Sequence, residues 1–422
     1  MLVAMSLSLE SIDIAAKSFW ALPLSERDEA FTLLRRETPV FWSRPAESDL
    51  LPPEMSQKGF WSLTKFDDIR SASRNPKIFS SAEGISMEDM PKEITAMQSF
   101  MAMDAPRHTQ LRGIAHQAFS PRNVKRLQGW IHGHARDVVK EMIPKGGADF
   151  VKEVSLKLPA RIFASFFGLE GDDRLEKTVD AAMKFQAWND PEVVGEGGPL
   201  ALMAEVFMTL HQTARELAQE RRENPGDDLM TWLVQAEFEG QKMTDEDIIA
   251  FFVLLPVAAN DTTRHSSAHA VLALSQFPEQ RALLVEDVEG RVDTAVEEIL
   301  RWSSPVLHMR RTLLEDTVVR DVEMKAGDKV VLWYRSGNRD EDAWDRPFEF
   351  DITREKIPHL AFGGGGPHFC LGNALARQML RSLLVEIYTQ IPDIEAGEPD
   401  FLVANLMNGI KRLPATWTPA GG

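Results

Sequence analysis

The chain of 422 residues has a single cysteine, Cys370. That excludes an intrachain disulfide and suits a reducing compartment. Long apolar runs are also missing. The longest, Ile248 to Ala259, contains Pro256 and is too short to cross a bilayer. No strongly basic stretch exists and the net charge is −17, so a nucleic-acid partner is not expected. An acidic surface of this kind serves solubility. The first twenty residues lack a basic segment, and Glu10 and Asp13 break their apolar run, so a signal peptide is not expected. The expectation is a soluble, cytoplasmic protein with no membrane segment. Hydrophobic content of 44% and charged content of 26% place it among globular rather than disordered chains.

The most informative stretch is Phe362-Gly363-Gly364-Gly365-Gly366-Pro367-His368-Phe369-Cys370-Leu371-Gly372. Four glycines and a proline exclude a regular helix or strand over 363–367. Leu371 to Ile391 then reads as a helix, with Leu375, Met379, Leu380, Leu383, Leu384 and Ile387 on its apolar side. Cys370 therefore falls where a tight loop meets a helix N-terminus, where unpaired N–H groups stabilise a thiolate. Three readings stand at this point. Cys370 is a small buried hydrophobe, or a nucleophile, or the single axial thiolate of a haem iron. Core packing does not require four glycines, and the His368 spacing does not by itself place an imidazole on the sulfur.

The same stretch resembles the haem-binding loop of the cytochromes P450, F-x-x-G-x-[HR]-x-C-x-G. Gly366, His368, Cys370 and Gly372 match in register. Phe362 lies one residue further upstream than usual, a variant similar to that of bacterial members that oxidise sterols and branched lipids. The resemblance implies a mainly α fold with a small β-rich lobe. It implies one domain over 1–422, β-rich near 40–65 and 306–334 and helical over about 104–303 and 371–391. It also implies haem b, held by Cys370.

Three further segments carry the resemblance. Asp104-Ala105-Pro106-Arg107-His108 reads as a helix start capped by Asp104, with His108 and Arg112 on one face. In the family, D-x-P-x-H-x-x-x-R grips a haem propionate, and an arginine fork suits a carboxylate. Thr244, with Asp247 three residues on, opens a helix of roughly 33 residues, ~50 Å at ~1.5 Å per residue. Pro256 should bend it. Asp261-Thr262-Thr263 is locally unfavourable in an apolar mid-helix, as functional residues often are. The family pattern [AG]-G-x-[DE]-T matches at Asp261 and Thr262, implied as the proton-delivery pair, with Ala259 where the family has glycine. Glu298 and Arg301 share a helix face and match the family's structural ion pair, with Arg354 as the expected partner. Arg311 matches a second propionate-binding arginine, and His368 is expected beside it.

Other segments are read from pattern alone. Residues 25–38 form a weakly amphipathic helix with Ala30, Phe31 and Leu34 on one side. Asp67 caps a helix running to Arg74. Strands at 40–42 and 60–63 flank a loop at Leu51-Pro52-Pro53. The segment 84–103, with Met87, Met90, Met97, Met101, Met103 and Phe100, is either irregular core or an apolar lid. Residues 121–240 read as almost wholly helical, and a hairpin should turn at Asn408-Gly409.

The function implied is monooxygenation: one atom of O2 enters a C–H bond of an apolar substrate, a steroid, terpenoid or branched lipid. Electrons would come from NAD(P)H through a ferredoxin-type donor and its reductase. Arg122, Lys125, Arg126, Arg377 and Arg381 are the candidate docking cations. The alternatives are a haem-thiolate sensor without turnover and a peroxide-driven hydroxylase. The Asp261-Thr262 pair speaks against both, because neither needs that relay.

Overall fold

The computed structural model describes residues 8–419 except 49, 51–57, 120, 170, 172, 189 and 239. The Leu51-Pro52-Pro53 loop lies outside the described residues. The fold is mainly α with small sheets, as the sequence implies. Its organising element is the helix Asp245–Gln276, 32 residues long. Thr244 caps it reciprocally: the Asp247 N–H donates to Thr244 Oγ1 (3.2 Å), and the Thr244 N–H donates to Asp247 Oδ2 (3.1 Å). Most of its residues are buried, polar ones included, so it crosses the centre and presents no solvent stripe. Helices Lys157–Phe167, Arg174–Gln186, Gly198–Glu223, Val288–Ser303 and Asn373–Gln390 all pack against it. One continuous apolar core joins them, from Met97 to Trp417.

The main sheet has the strand order Val40–Ser43, Phe60–Leu63, Lys329–Trp333, His308–Leu313, Phe79–Ser80. Phe60–Leu63 runs parallel to Lys329–Trp333, and the other neighbours are antiparallel. Helix Leu24–Glu37 covers it through Ala30, Phe31 and Leu34, with Phe31 5.1 Å from the Trp333 ring.

Several local expectations are corrected. Asp67 does not cap helix Phe66–Ser73. That role falls to a residue distant in sequence, Asp340, whose Oδ2 accepts the Phe66 N–H at 2.8 Å. Asp104 does not cap helix Arg107–Ala118 either, because its carboxylate is taken by Ser80 Oγ and the Ser81 N–H. Strand Gly147–Asp149 interrupts the stretch read as helical and joins Pro414–Thr416 and Glu395–Ala396 in a second sheet. At the C-terminal hairpin, Phe401 pairs with Ile410, so the connection is longer than an Asn-Gly turn. Asn408 instead reaches the Ser303 carbonyl through Nδ2 (2.5 Å). Glu298 and Arg301 are both fully buried and paired at 2.7 Å, and Arg354 Nε reaches the same carboxylate at 3.3 Å.

Candidate active site

The Cys loop is shaped by glycine. Gly363, Gly365 and Gly366 have φ of +92°, +92° and +76°, which other residues avoid. At Gly366 a Cβ would lie 2.4 Å from the Ser73 carbonyl oxygen, so the loop presses directly on helix Phe66–Ser73. The loop closes when the Cys370 N–H donates to the Phe362 carbonyl (3.0 Å), and Asn373 Nδ2 holds the Cys370 carbonyl at 2.7 Å. Cys370 is half-buried and forms part of a cavity wall. Burial pushes its thiol up, while the Gly372 N–H, Arg112 and Arg377 pull the other way.

That cavity, of about 260 Å³, lies between the long helix, the Cys loop, strand His308–Leu313 and the 84–103 segment. Of the residues singled out in the sequence, Cys370, Arg112, Arg311, His368, Phe362, Gly372, Ala259 and Thr262 line it. Three do not. His108 is buried with its ring 4.2 Å from that of His368. Gly366 sits in the loop behind. Asp261 is fully buried off the cavity, 3.1 Å from Arg264 Nη2, and neither carboxylate oxygen has a hydrogen bond among the described residues. Burial pushes its carboxyl up to about 6, against the pull of Arg264.

Thr262 Oγ1 donates to the Ala258 carbonyl at 2.8 Å, and Ser266 Oγ donates to the Thr262 carbonyl at 2.8 Å. Both hydroxyls are thus held by their own helix at the cavity wall. The 84–103 segment supplies both core and cavity wall. Met87 is core beside Trp333, whereas Met90, Met97, Met101 and Phe100 line the cavity.

The charges around the cavity floor are unbalanced. Arg112 Nη2 donates to the Phe369 carbonyl (2.5 Å), and Arg311 Nη1 donates to the Arg310 carbonyl (2.7 Å). Neither has a carboxylate partner among the described residues. His368 is lowered to about 2 by burial and then by Arg311, and His108 to about 4 by burial and then by Arg112. Both rings are therefore neutral at physiological pH, and the buried His108 Nε2 has no hydrogen-bond partner among the described residues. Two half- to fully buried guanidiniums facing a cavity without anions are costly unless a ligand supplies the negative charge. A dicarboxylate with a soft metal centre fits this donor set: a thiol on the floor, two arginines and two neutral imidazoles beside it.

Sequence reading missed several of the contacts. Tyr334 lines the cavity and hydrogen-bonds Arg311 and Ser73, and nothing local marks it. Arg264 was readable, since it lies three residues after Asp261 on the same helix. Of the docking cations, Arg377 is bound to Glu297 (2.5 Å) and stacks on Phe362 (4.4 Å), and Arg381 is bound to Asp293 (3.0 Å) and Glu289 (2.6 Å). Arg122, Lys125 and Arg126 stay exposed on helix Pro121–Met142. Among the described residues, no helix is long and apolar enough to cross a membrane.

Comparison with known proteins agrees with this geometry. The family described as Cytochrome P450 matches residues 54–389. Methyl-branched lipid omega-hydroxylase of Mycobacterium tuberculosis is 42% identical over 421 residues, covering 97% of this chain and 95% of that protein. Steroid C26-monooxygenase of Rhodococcus jostii is 35% identical over 404 residues, covering 93% and 82%. Among solved structures, Mycobacterium marinum cytochrome P450 CYP268A2 in complex with pseudoionone superposes with a TM-score of 0.93 at 43% identity, covering 98% of this chain and 100% of that one.

Proposed function

The chain belongs to the cytochrome P450 family and is a haem-dependent monooxygenase, and we propose that it hydroxylates a methyl-branched apolar lipid. The observation that carries the reading is one cavity with Cys370 and two arginines without acid partners among the described residues on its floor, and a mainly apolar wall above. The substrate class follows the relative at 42% identity, whose name specifies a methyl-branched lipid, and the aliphatic and methionine-rich wall suits it. Electrons would come from NAD(P)H through a ferredoxin and its reductase, and the enzyme would work in the cytoplasm.

Bound haem b supplies the chemistry that reduces O2 and oxidises the C–H bond. On this reading, Cys370 would hold the iron as its thiolate, a form favoured by the Gly372 N–H and the Arg112 and Arg377 charges. Arg112 and Arg311 would bind the two propionates, with His108 and His368 as neutral donors beside them. Phe362 lines the cavity with Cys370, the Gly372 N–H is directed at the sulfur, and Gly366 keeps the loop against its neighbouring helix. Thr262 offers a hydroxyl to the cavity, and the Asp261 carboxyl behind it would take up and pass on protons. Ala259 narrows the cavity by a methyl group where the family has glycine.

The test is spectral and chemical together. Ferrous protein under CO should show the Soret band that names the family, and Cys370→Ser should lose it. Methyl-branched fatty acids and alcohols, then steroids, are screened for a low- to high-spin shift. Product formation is compared with NADH plus surrogate ferredoxin and reductase, and with peroxide alone. Retention of the band in Cys370→Ser, or turnover with peroxide only, refutes the assignment.

A further inference from the structure

Above its floor the cavity wall is apolar except at the Thr262, Thr263 and Ser266 hydroxyls of the long helix and at one further point. Gln98 and Ser86 are 6% and 5% exposed and both line it. Gln98 Nε2 donates to Ser86 Oγ at 3.5 Å, the outer limit of a hydrogen bond. Gln98 Oε1 is buried with no partner among the described residues. Ser86 Oγ is engaged there only as an acceptor, so its hydroxyl hydrogen remains to be given. As placed, the unmatched amide atom is an acceptor; with the amide oxygen and nitrogen exchanged it would be a donor, and a hydroxyl can satisfy either. A buried polar atom without a partner is costly, and most are satisfied in folded proteins. The neighbouring wall, Ile85, Met90, Ile94 and Met97, offers nothing to satisfy it.

We propose that Gln98 and Ser86 together form a recognition point for a hydroxyl group on the substrate. This rests on the monooxygenase reading above and narrows its substrate to branched apolar alcohols. A hydroxyl both gives and accepts a hydrogen bond, so it satisfies Gln98 Oε1 and the Ser86 hydroxyl at once. With the amide as placed, a carbonyl group can only accept and leaves Oε1 unmatched. A carboxylate has the same defect and adds a buried charge. A hydrocarbon supplies neither bond.

The probes are 3,7-dimethyloctan-1-ol, its aldehyde, and 2,6-dimethyloctane, titrated into the haem-loaded protein and followed by the Soret spin shift. Comparing the alcohol-to-alkane affinity ratio between proteins cancels the partitioning of the ligands from water. The ratio in the native protein should exceed that in Gln98→Met by about tenfold, the effect of one buried hydrogen-bonding group. Methionine keeps the length and removes the polarity, and Ser86→Ala should lower the ratio in the same direction. The aldehyde should fall between alcohol and alkane. A ratio unchanged within about twofold in both variants overturns the proposal, and so does the absence of any spin shift with all three probes. The ferrous–CO band, recorded on each variant, separates this failure from failure of the haem reading: a normal band with an unchanged ratio refutes only the hydroxyl site.

Discussion

Replacing Asp261 with asparagine should stabilise the protein at neutral pH and leave it almost unchanged in acid. The carboxyl is fully buried, and its pKa rises from 3.8 to about 6, because burial outweighs the Arg264 charge. Between those two values the folded state binds more protons than the unfolded one, so stability falls as pH rises through the window. Each pKa unit corresponds to about 1.4 kcal/mol, so the ionised Asp261 costs the folded protein about 3 kcal/mol above pH 6. Asparagine removes that cost. The loss of attraction to Arg264 is already inside the net figure, because Arg264 is one of the two contributions that set it. Thermal or urea unfolding of the haem-loaded protein, native and Asp261→Asn, is measured from about pH 4 to pH 8. The stability difference should grow from near zero to about 3 kcal/mol in favour of the variant across that range. A variant equally or less stable at every pH would show that the Arg264 pair outweighs burial, and the argument would fall.

The remaining predictions use the same geometry. Thr262→Ala should uncouple the enzyme: nicotinamide consumption continues while product falls, read by the ratio of product to NADH used, and an unchanged ratio would shift the role to Thr263 or Ser266. Arg112→Ala should lower haem retention more than Arg222→Ala, whose side chain is an exposed partner of Asp245. The expected difference is ~1.5–3 kcal/mol for a charge-assisted bond to a carboxylate, and equal retention would count against the propionate role. Glu298→Ala should cost roughly 3–5 kcal/mol in unfolding free energy, since it strands the fully buried Arg301, also bonded to the Asn338 and Pro347 carbonyls. A loss under about 1 kcal/mol, the range of exposed pairs, would show the site relaxes freely. Reduction by an acidic ferredoxin should slow with salt and with Lys125→Glu or Arg126→Glu, with Arg381→Glu having less effect because Asp293 and Glu289 already neutralise it. Rates indifferent to all three would remove that helix from the docking face.

The fold and the floor of the site were legible because their signals are local. The glycine run, the helix after it, the Thr244 cap and the Glu298–Arg301 spacing are each contained in a few consecutive residues. What escaped was set by tertiary competition. Asp67 and Asp104 look like caps, but Asp340 supplies one helix start from far along the chain, and Asp104 is drawn to Ser80 and Ser81. Asn408-Gly409 looks like a tight turn, but its asparagine is committed to Ser303. Tyr334 joins the site only because strand Lys329–Trp333 lies beside His308–Leu313, which places it near Arg311. Gln98 falls in a segment without period, where side-chain direction cannot be read.

The long helix also shows why an adjacent acid and alcohol need not share an environment. Neighbouring residues on an α-helix are turned by about 100°. Thr262 faces the cavity with Ala258, Ala259 and Ser266, whereas Asp261 points away from it toward Arg264, one turn on. On the proposed assignment, the relay is closed in this conformation at both ends. The Thr262 hydroxyl is spent on the Ala258 carbonyl, and the carboxyl is held by the guanidinium. Opening it requires Thr262 to exchange an internal hydrogen bond for one in the cavity and Asp261 to leave Arg264. Protonation favours the second move, because a neutral carboxyl loses most of its attraction to the guanidinium. Burial raises the Asp261 carboxyl to about 6, so at neutral pH most molecules keep it ionised, and the pair with Arg264 is the resting arrangement.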